Sequence, residues 1–501
     1  MASRLPPRVL LTLAGGAWLA CAAAPPPLAP ERYPDAAAYR AARERLVREE
    51  HARRLGAWLV LTPEEEAASR RLEALRKAEE ERTREYFPPA HSFLLEKTKR
   101  TIDESPLLDV MRRLPKGGIL HVHGSAGGDL HWIVAEAIRR PDCYLFVGEE
   151  GPVAKGALRI SPTPPGGDWR PTLELRKQAP DPAAFEDEVF RSLTLGEEDR
   201  ESPDIWQEFG NCFQRIGGLL ADPGLHDGHW RRMLEGLIAE NVQYVEFRGW
   251  PVNEAIVQHA RRRDPDFAVA FIPSGGRSND HDTIKASLER VLEARERDPG
   301  RVKGFDLVEE EDHTHGNLYF LEDLLAARRE AERRGFTLPL YLHSGETSRA
   351  ASENLYDAIL LGARRIGHGL ALVRHPLLME MVRQRNIAVE VCPISNQVLG
   401  YVPDLRSHPA VAYLNAGIPI VLSPDDPGVM RHTFSHDFYE AFMAWNLDLR
   451  DLKQLARGSL LHSAMDESEK HRALAEWDVR WGVFVRWLAR SADTVPAAPP
   501  S

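Results

Sequence analysis

"GGILHVHGSAGGD", residues 117–129, closes an apolar run with two histidines one residue apart and then breaks into glycines. Along a strand, side chains i and i+2 leave the same face, so His121 and His123 would present both imidazoles to one side of a sheet. Two ligands offered to one metal ion is the reading with chemical content. A chance histidine pair on a solvated strand face is the ordinary one, and so short a pattern does not choose between them. The rest of the chain has to decide.

Working outward, short β-branched or apolar runs recur at 118–123, 242–248, 267–273, 302–308, 337–343, 364–368, 387–393 and 418–424. Most are separated by amphipathic helical segments such as "HWRRMLEGLIAEN" and "NLYFLEDLLAARREAERR". Eight strand signals alternating with helices predict a closed parallel (β/α)8 TIM barrel, with an open doubly wound sheet as the alternative. Residues 141–203 are too long for a connection and carry turns ("SPTPPGGDW") and strand-like runs ("CYLFVG", "GALRI"), so an inserted subdomain over the barrel mouth is expected. Upstream, charged helices are predicted over 35–60 and 62–86 within an N-terminal extension, 31–105; the second opens on Thr62, Pro63 and Glu65, a capping-box start. They carry no chemistry, which leaves packing or self-association. The barrel region runs over 106–490 and ends in helices, and "SADTVPAAPPS", 491–501, has the composition of a disordered tail.

The 501 residues carry a formal net charge of −11, which argues against nucleic acid or an anionic membrane as partner and suits a small neutral substrate. Residues 1–24 read as an export signal: Arg4 and Arg8 precede "VLLTLAGGAWLACAAA", too short and too rich in small residues to span a membrane. Cys21 stands where a lipoprotein cysteine would, before the tether-like "AAAPPPLAP", although Trp18 is a poor residue three places earlier. A lipid anchor at Cys21 and plain secretion after cleavage at an alanine are the two alternatives, and either exports the protein to the periplasm or the exterior. Cys143, Cys212 and Cys392 allow at most one disulfide; three reduced, buried thiols are expected.

In such a barrel the chemistry gathers at the carboxyl ends of the strands. Strand one delivers His121 and His123 there; "YLHSGE" delivers His343 and Glu346, "RIGHG" His368, and "SPDDP" Asp425 and Asp426. Each alone has an ordinary explanation: a structural histidine between glycines, a turn, a carboxylate at a helix start. Together they form a convergent set. Three imidazoles and a carboxylate, His121, His123, His343 and Asp425, suit one Zn2+ with a position left for a water that the metal acidifies. Glu346 would shuttle the proton that a leaving amine needs, His368 would orient the nucleophile or stabilise developing charge, and Asp426 would hydrogen-bond the substrate.

At these residues the sequence resembles the adenosine deaminase family of metal-dependent amidohydrolases, with "HVH", "HSGE", "RIGHG", "EVCPISNQVLG" and "SPDDPG" in the same order. The lead-in from "FPPAHSFLLEKTKRTIDESPLL", the insertion, "WQEFGNCF" and the export signal resemble the secreted, growth-factor-related branch. The resemblance implies hydrolytic loss of ammonia from a 6-aminopurine nucleoside, with Asp426 at N7 of the ring, a dimer through the N-terminal helices and an insertion that helps to cover the site. It also exposes two departures. Gly124 and Ser125 stand where relatives commonly place a ribose-binding Asp, and the family's glycine after strand four is Glu309, within Asp306-Leu307-Val308-Glu309. Trp206 is offered both to the sugar and to the core. Two rival functions remain: a binuclear amidohydrolase with Glu309 or Glu310 bridging a second ion held by His343 and His368, and a catalytically idle nucleoside-binding protein.

Overall fold

Eight parallel strands succeed one another in chain order: Gly117–His123, Val242–Arg248, Ala268–Ile272, Asp306–Val308, Tyr341–Ser344, Arg365–His368, Ala388–Val391 and Ile420–Leu422. They are strands one to eight below. The computed structural model describes residues 32–148, 157–347, 349 and 353–490. The export segment with Cys21 and the tail 491–501 lie outside the described residues.

Strands one to three form one parallel ladder and strands five to eight another. Strand three resumes beyond Pro273 as Ser274–Gly276 and pairs there with strand four. Single bridges join the remaining seams, Phe271 with Val302, Phe305 with Leu340 and Val122 with Asp425. The last returns strand eight to strand one, which closes the barrel and removes the open edges of the doubly wound alternative. Strands four, five and eight begin later than their sequence runs predict, and Pro339 and Pro419 stand at the entries of strands five and eight. A proline cannot donate to a ladder, yet Pro273, Pro339 and Pro419 still accept, from Asp306, Phe305 and Val389 N–H.

The chain falls into two units, residues up to Glu49 and the remainder. In the first, the helix that begins at Ala36 buries no side chain and is laced by the i,i+4 pairs Arg45–Glu49 and Arg48–Glu44 at 3.9 Å. In the second, helix Pro63–Arg82 opens on the expected capping box, with Thr62 Oγ1 accepting from Glu65 N–H at 3.2 Å and Glu65 Oε2 from Thr62 N–H at 2.8 Å. Ala68, Leu72 and Leu75 are buried, Glu65 Oε1 accepts from Lys453 Nζ and Trp481 Nε1, both at 2.6 Å, and Glu79 Oε1 accepts from Tyr439 OH at 2.6 Å. This helix is therefore packed onto the C-terminal helices Phe434–Ala444, Leu449–Leu461 and Glu467–Arg490.

The insertion holds a three-stranded antiparallel sheet with Cys143–Phe146 between Leu158–Ile160 and Trp169–Pro171, followed by helices Thr172–Gln178 and Pro182–Ser192. Its expected place over the mouth needs correction. Among the described residues, the cavity there is roofed by the next element, helix Ile205–Leu220, and by none of 141–203. Asp204 caps that helix by accepting from Gln207 N–H at 2.9 Å, which sends Trp206, Phe209, Gly210 and Phe213 to one face at i, i+3, i+4 and i+7. Cys143, Cys212 and Cys392 are buried free thiols, as the sequence led us to expect.

Candidate metal centre and active site

The two histidines of strand one do leave the same side. His121 Nε2 and His123 Nε2 each lie 3.3 Å from Asp425 Oδ1, and the ligand-type atoms of His121, His123 and His343 all fall within 4.8 Å of one another. Donors about 2.0–2.1 Å from a tetrahedral ion stand about 3.3 Å apart, so these separations suit a small divalent cation. The chemistry of the set agrees. His121 Nε2 and Asp425 Oδ1 are buried and have no hydrogen-bond partner, a cost tolerated where a cation is to be received. The other oxygen, Asp425 Oδ2, accepts from Ser395 Oγ at 2.8 Å and so fixes the carboxylate's orientation. Burial alone would raise the Asp425 carboxyl, but the imidazoles of His121 and His123 beside it hold it well below the usual carboxylate range. Burial pushes His343 down to about 4, so its ring is neutral and available as a ligand.

Beneath this rim lies a second layer that the sequence reading did not assign. His121 Nδ1 stands 2.8 Å from Glu390 Oε2, and His343 Nδ1 2.8 Å from Asp306 Oδ2. Each carboxylate accepts from the ring's Nδ1–H and turns the Nε2 lone pair toward the centre. The carboxylates are themselves tied by arginines: Arg248 Nη2 donates to Glu390 at 2.5 Å and Nε to Asp306 at 2.9 Å, while Arg365 bridges Glu390, at 2.5 Å, and Glu246. All five charged residues are buried. The signal was present in the sequence as charges inside apolar strands, Glu390 within "VEV" and Asp306 after Phe305, but nothing local says what they face.

Glu346 is buried, with Oε1 3.3 Å from His368 Nδ1 and free of any hydrogen bond. Burial, reinforced by Asp425 and Glu311, pushes its carboxyl well above the usual range and favours the protonated form. Its backbone is gripped from the acidic stretch after strand four. Glu311 accepts from Gly345 N–H at 3.0 Å, Glu346 N–H at 2.8 Å and Asn354 Nδ2 at 2.6 Å, and Asp312 accepts from Thr347 Oγ1. Asp426 is also buried with an unpartnered Oδ1, and burial beside Asp425 pushes it upward. Strain marks the same strand ends: His368, Asp425 and Glu309 hold left-handed backbone, with φ of 59°, 61° and 87°.

These groups open into a cavity of about 650 Å³ whose lining includes His123, Ser125, Trp206, Glu309, Glu310, His343, Glu346, His368, Asp425 and Asp426. Of the catalytic, metal-binding and substrate-binding residues proposed from the sequence, all but His121 line this space; Gly124, the other position singled out, does not. Trp206 is half-buried and donates from Nε1 to Tyr401 OH at 2.8 Å. Glu309 turns its carboxylate to Ser278 N–H, at 2.8 Å, and Glu310 to His313 Nδ1, at 2.7 Å. Among the described residues neither belongs to a cluster able to hold a metal, so the binuclear alternative gains no second site from them. Gly124 has a packing reason. A Cβ there would run into Cη2 of Trp230, which leaves no room for an aspartate, while His229 Nε2 sits 3.2 Å from the Gly124 carbonyl oxygen that it donates to.

A family model for adenosine deaminase matches residues 251–479, and one for the N-terminal region of adenosine and AMP deaminases matches 18–111. Adenosine deaminase 2 of Sus scrofa is 35% identical over 485 residues, spanning 89% of this chain and 94% of that protein. Among solved structures, N6-methyl-AMP deaminase from Arabidopsis thaliana shares the fold at a TM-score of 0.53 with 19% identity, over 74% of this chain and 98% of that one. An amidohydrolase from Burkhoderia ambifaria with bound Zn does so at 0.52 with 20% identity, over 76% and 94%. With a relative above 30% identity along nearly its whole length, and with the barrel closed around a histidine and aspartate centre, the chain belongs to the adenosine deaminase family.

Proposed function

We propose that the protein hydrolyses the exocyclic amine of adenosine or a closely related 6-aminopurine nucleoside, using one zinc ion per chain held by His121, His123, His343 and Asp425. The observation that carries this reading is the buried, unpartnered pair of His121 Nε2 and Asp425 Oδ1 at ligand spacing, beside a Glu346 whose surroundings favour its protonated form. Zinc held by these residues would acidify a water and so supply a nucleophile near neutral pH.

The chain's own groups do the rest. Glu346 supplies the proton that lets nitrogen leave as ammonia and recovers one from the incoming water, so that nucleoside plus water gives the 6-oxo product plus ammonia. His368, kept neutral by burial, faces the reacting centre and stabilises charge there. Asp426, protonated, can donate a hydrogen bond to a ring nitrogen such as N7, which has only a lone pair to offer. Trp206 and Ser125 line the remaining space, where a sugar would sit. With no aspartate at position 124, we expect little preference for adenosine over 5′-deoxyadenosine. The departure at Glu309 reshapes the rim of the same pocket.

Residues 1–24 support export, with Cys21 as a point for lipid attachment. No helix among the described residues is long and apolar enough to cross a membrane. The helix that begins at Ala36, which buries nothing, is where we place contact between two copies.

A steady fall in absorbance near 265 nm with ammonia release from adenosine is the expected result, with close to one zinc per chain by elemental analysis. Silence across adenosine, deoxyadenosine, adenine and N6-substituted purines with zinc bound would favour the idle nucleoside-binding alternative, and two metal ions per chain the binuclear one.

A further inference from the structure

Beyond the metal-facing set, three buried side chains form one hydrogen-bonded line whose direction follows from its far end. Ala410 N–H donates to His408 Nδ1 at 3.0 Å. A backbone amide has a proton to give and cannot receive one, so Nδ1 of His408 is bare and the ring's proton sits on Nε2. That nitrogen lies 3.1 Å from Asn396 Oδ1, so the ring donates and the amide oxygen accepts; turned the other way, the amide would set N–H against N–H. Asn396 thus presents Nδ2 to His368 Nδ1 at 3.1 Å, where only a lone pair can receive it. His368 is left with its proton on Nε2, on the side of the ring that lies 3.9 Å from Asp425 Oδ2. All three residues are buried, and burial pushes the His408 ring down to about 3, which keeps it neutral near pH 7.

We propose that His408 is a positioning residue: through Asn396 it locks His368 in the Nε2–H tautomer, so that the ring offers the reacting centre a hydrogen-bond donor. The same assignment leaves Nδ1, the atom 3.3 Å from Glu346 Oε1, without a proton to neutralise that carboxyl, so Glu346 keeps its own for the substrate. The inference rests on the role given to His368 above, but one arm of its test needs no substrate.

In the zinc-loaded full chain labelled with [15N]histidine, long-range 1H–15N spectra should show His368, identified by its loss in His368→Gln, as the Nε2–H tautomer; an Nδ1–H pattern overturns the proposal whatever the substrate proves to be. His408→Phe should mix the two tautomers and lower kcat by about tenfold to a hundredfold, with KM within about threefold and zinc content and thermal midpoint kept. His408→Gln, whose amide can accept from Ala410 and donate to Asn396, should recover kcat to within about threefold of the parent. Asn396→Leu cuts the same link without touching His408 and should reproduce the loss if the phenylalanine variant fails to fold. Unchanged kcat in His408→Phe or in Asn396→Leu, or equal damage from phenylalanine and glutamine, overturns the assignment.

Discussion

Two charged layers share one barrel and treat their charges in opposite ways. In the lower layer, Glu246, Arg248, Asp306, Arg365 and Glu390 are buried and none has an unpartnered side-chain atom. At the rim above, His121 Nε2, Glu346 Oε1, Asp425 Oδ1 and Asp426 Oδ1 are just as buried and have no hydrogen-bond partner. Burying a polar atom without a partner costs about 1–3 kcal/mol, and a fold does not gather four such atoms within one site for stability. On the proposed reading, the paired layer holds ligands in place and the unpaired layer receives a cation and a substrate.

The contrast is broken most sharply at the rim. Glu346→Gln should keep the metal and lower kcat by about 10²- to 10⁴-fold, whereas His343→Ala should lose both metal and turnover. Elemental analysis beside steady-state rates separates the two, and a fully active Glu346→Gln enzyme would sink the proton-shuttle role. One layer down, Glu390→Gln should weaken metal affinity by about ten- to a hundredfold and destabilise the apoprotein by about 3 kcal/mol, because Arg248 and Arg365 lose their shared counter-charge. Equal effects on metal and on stability from a rim variant and a lower-layer variant would show that the layers are not distinct.

A smaller effect tests the histidines that burial keeps neutral. His229 is pushed down to about 4 by burial, so between pH 6.5 and 4 the unfolded chain takes up a proton that the folded chain refuses. The folded value is depressed below the unfolded one for a base, so stability falls as the pH drops through that window. Relative to His229→Gln, the native protein should lose up to about 3 kcal/mol between pH 6.5 and 4, measured by denaturant titration at each pH. A constant difference would mean that the folded ring takes up its proton as readily as the unfolded one. The smallest effect belongs to Glu309, held at a φ of 87°, a left-handed backbone that favours glycine. Glu309→Gly relieves about 1 kcal/mol of backbone strain but gives up the bond to Ser278, so the stability change should stay within about 1 kcal/mol, and its larger consequence should be in KM across nucleosides.

Much of this was legible in the chain itself. Alternation of apolar runs and amphipathic helices fixed eight strands in order because burial against a barrel imposes that periodicity locally, and the H-x-H step declared its shared face by strand geometry alone. Thr62 and Glu65 announced a helix start for the same reason, since a capping box is closed within four residues. What the sequence could not disclose is who meets whom across long separations. Glu390 finds His121 from 269 positions away, and Glu311 reaches Glu346 from another loop. The roof over the pocket comes from helix Ile205–Leu220, although the insertion was the more conspicuous feature of the chain. The bare glycine at 124 is explained only by Trp230, brought against it by a different helix. Residue type and spacing settle which groups can do chemistry, because those are local properties. Partner, tautomer and protonation state depend on charge and burial supplied by distant segments, and these exist only once the barrel has closed.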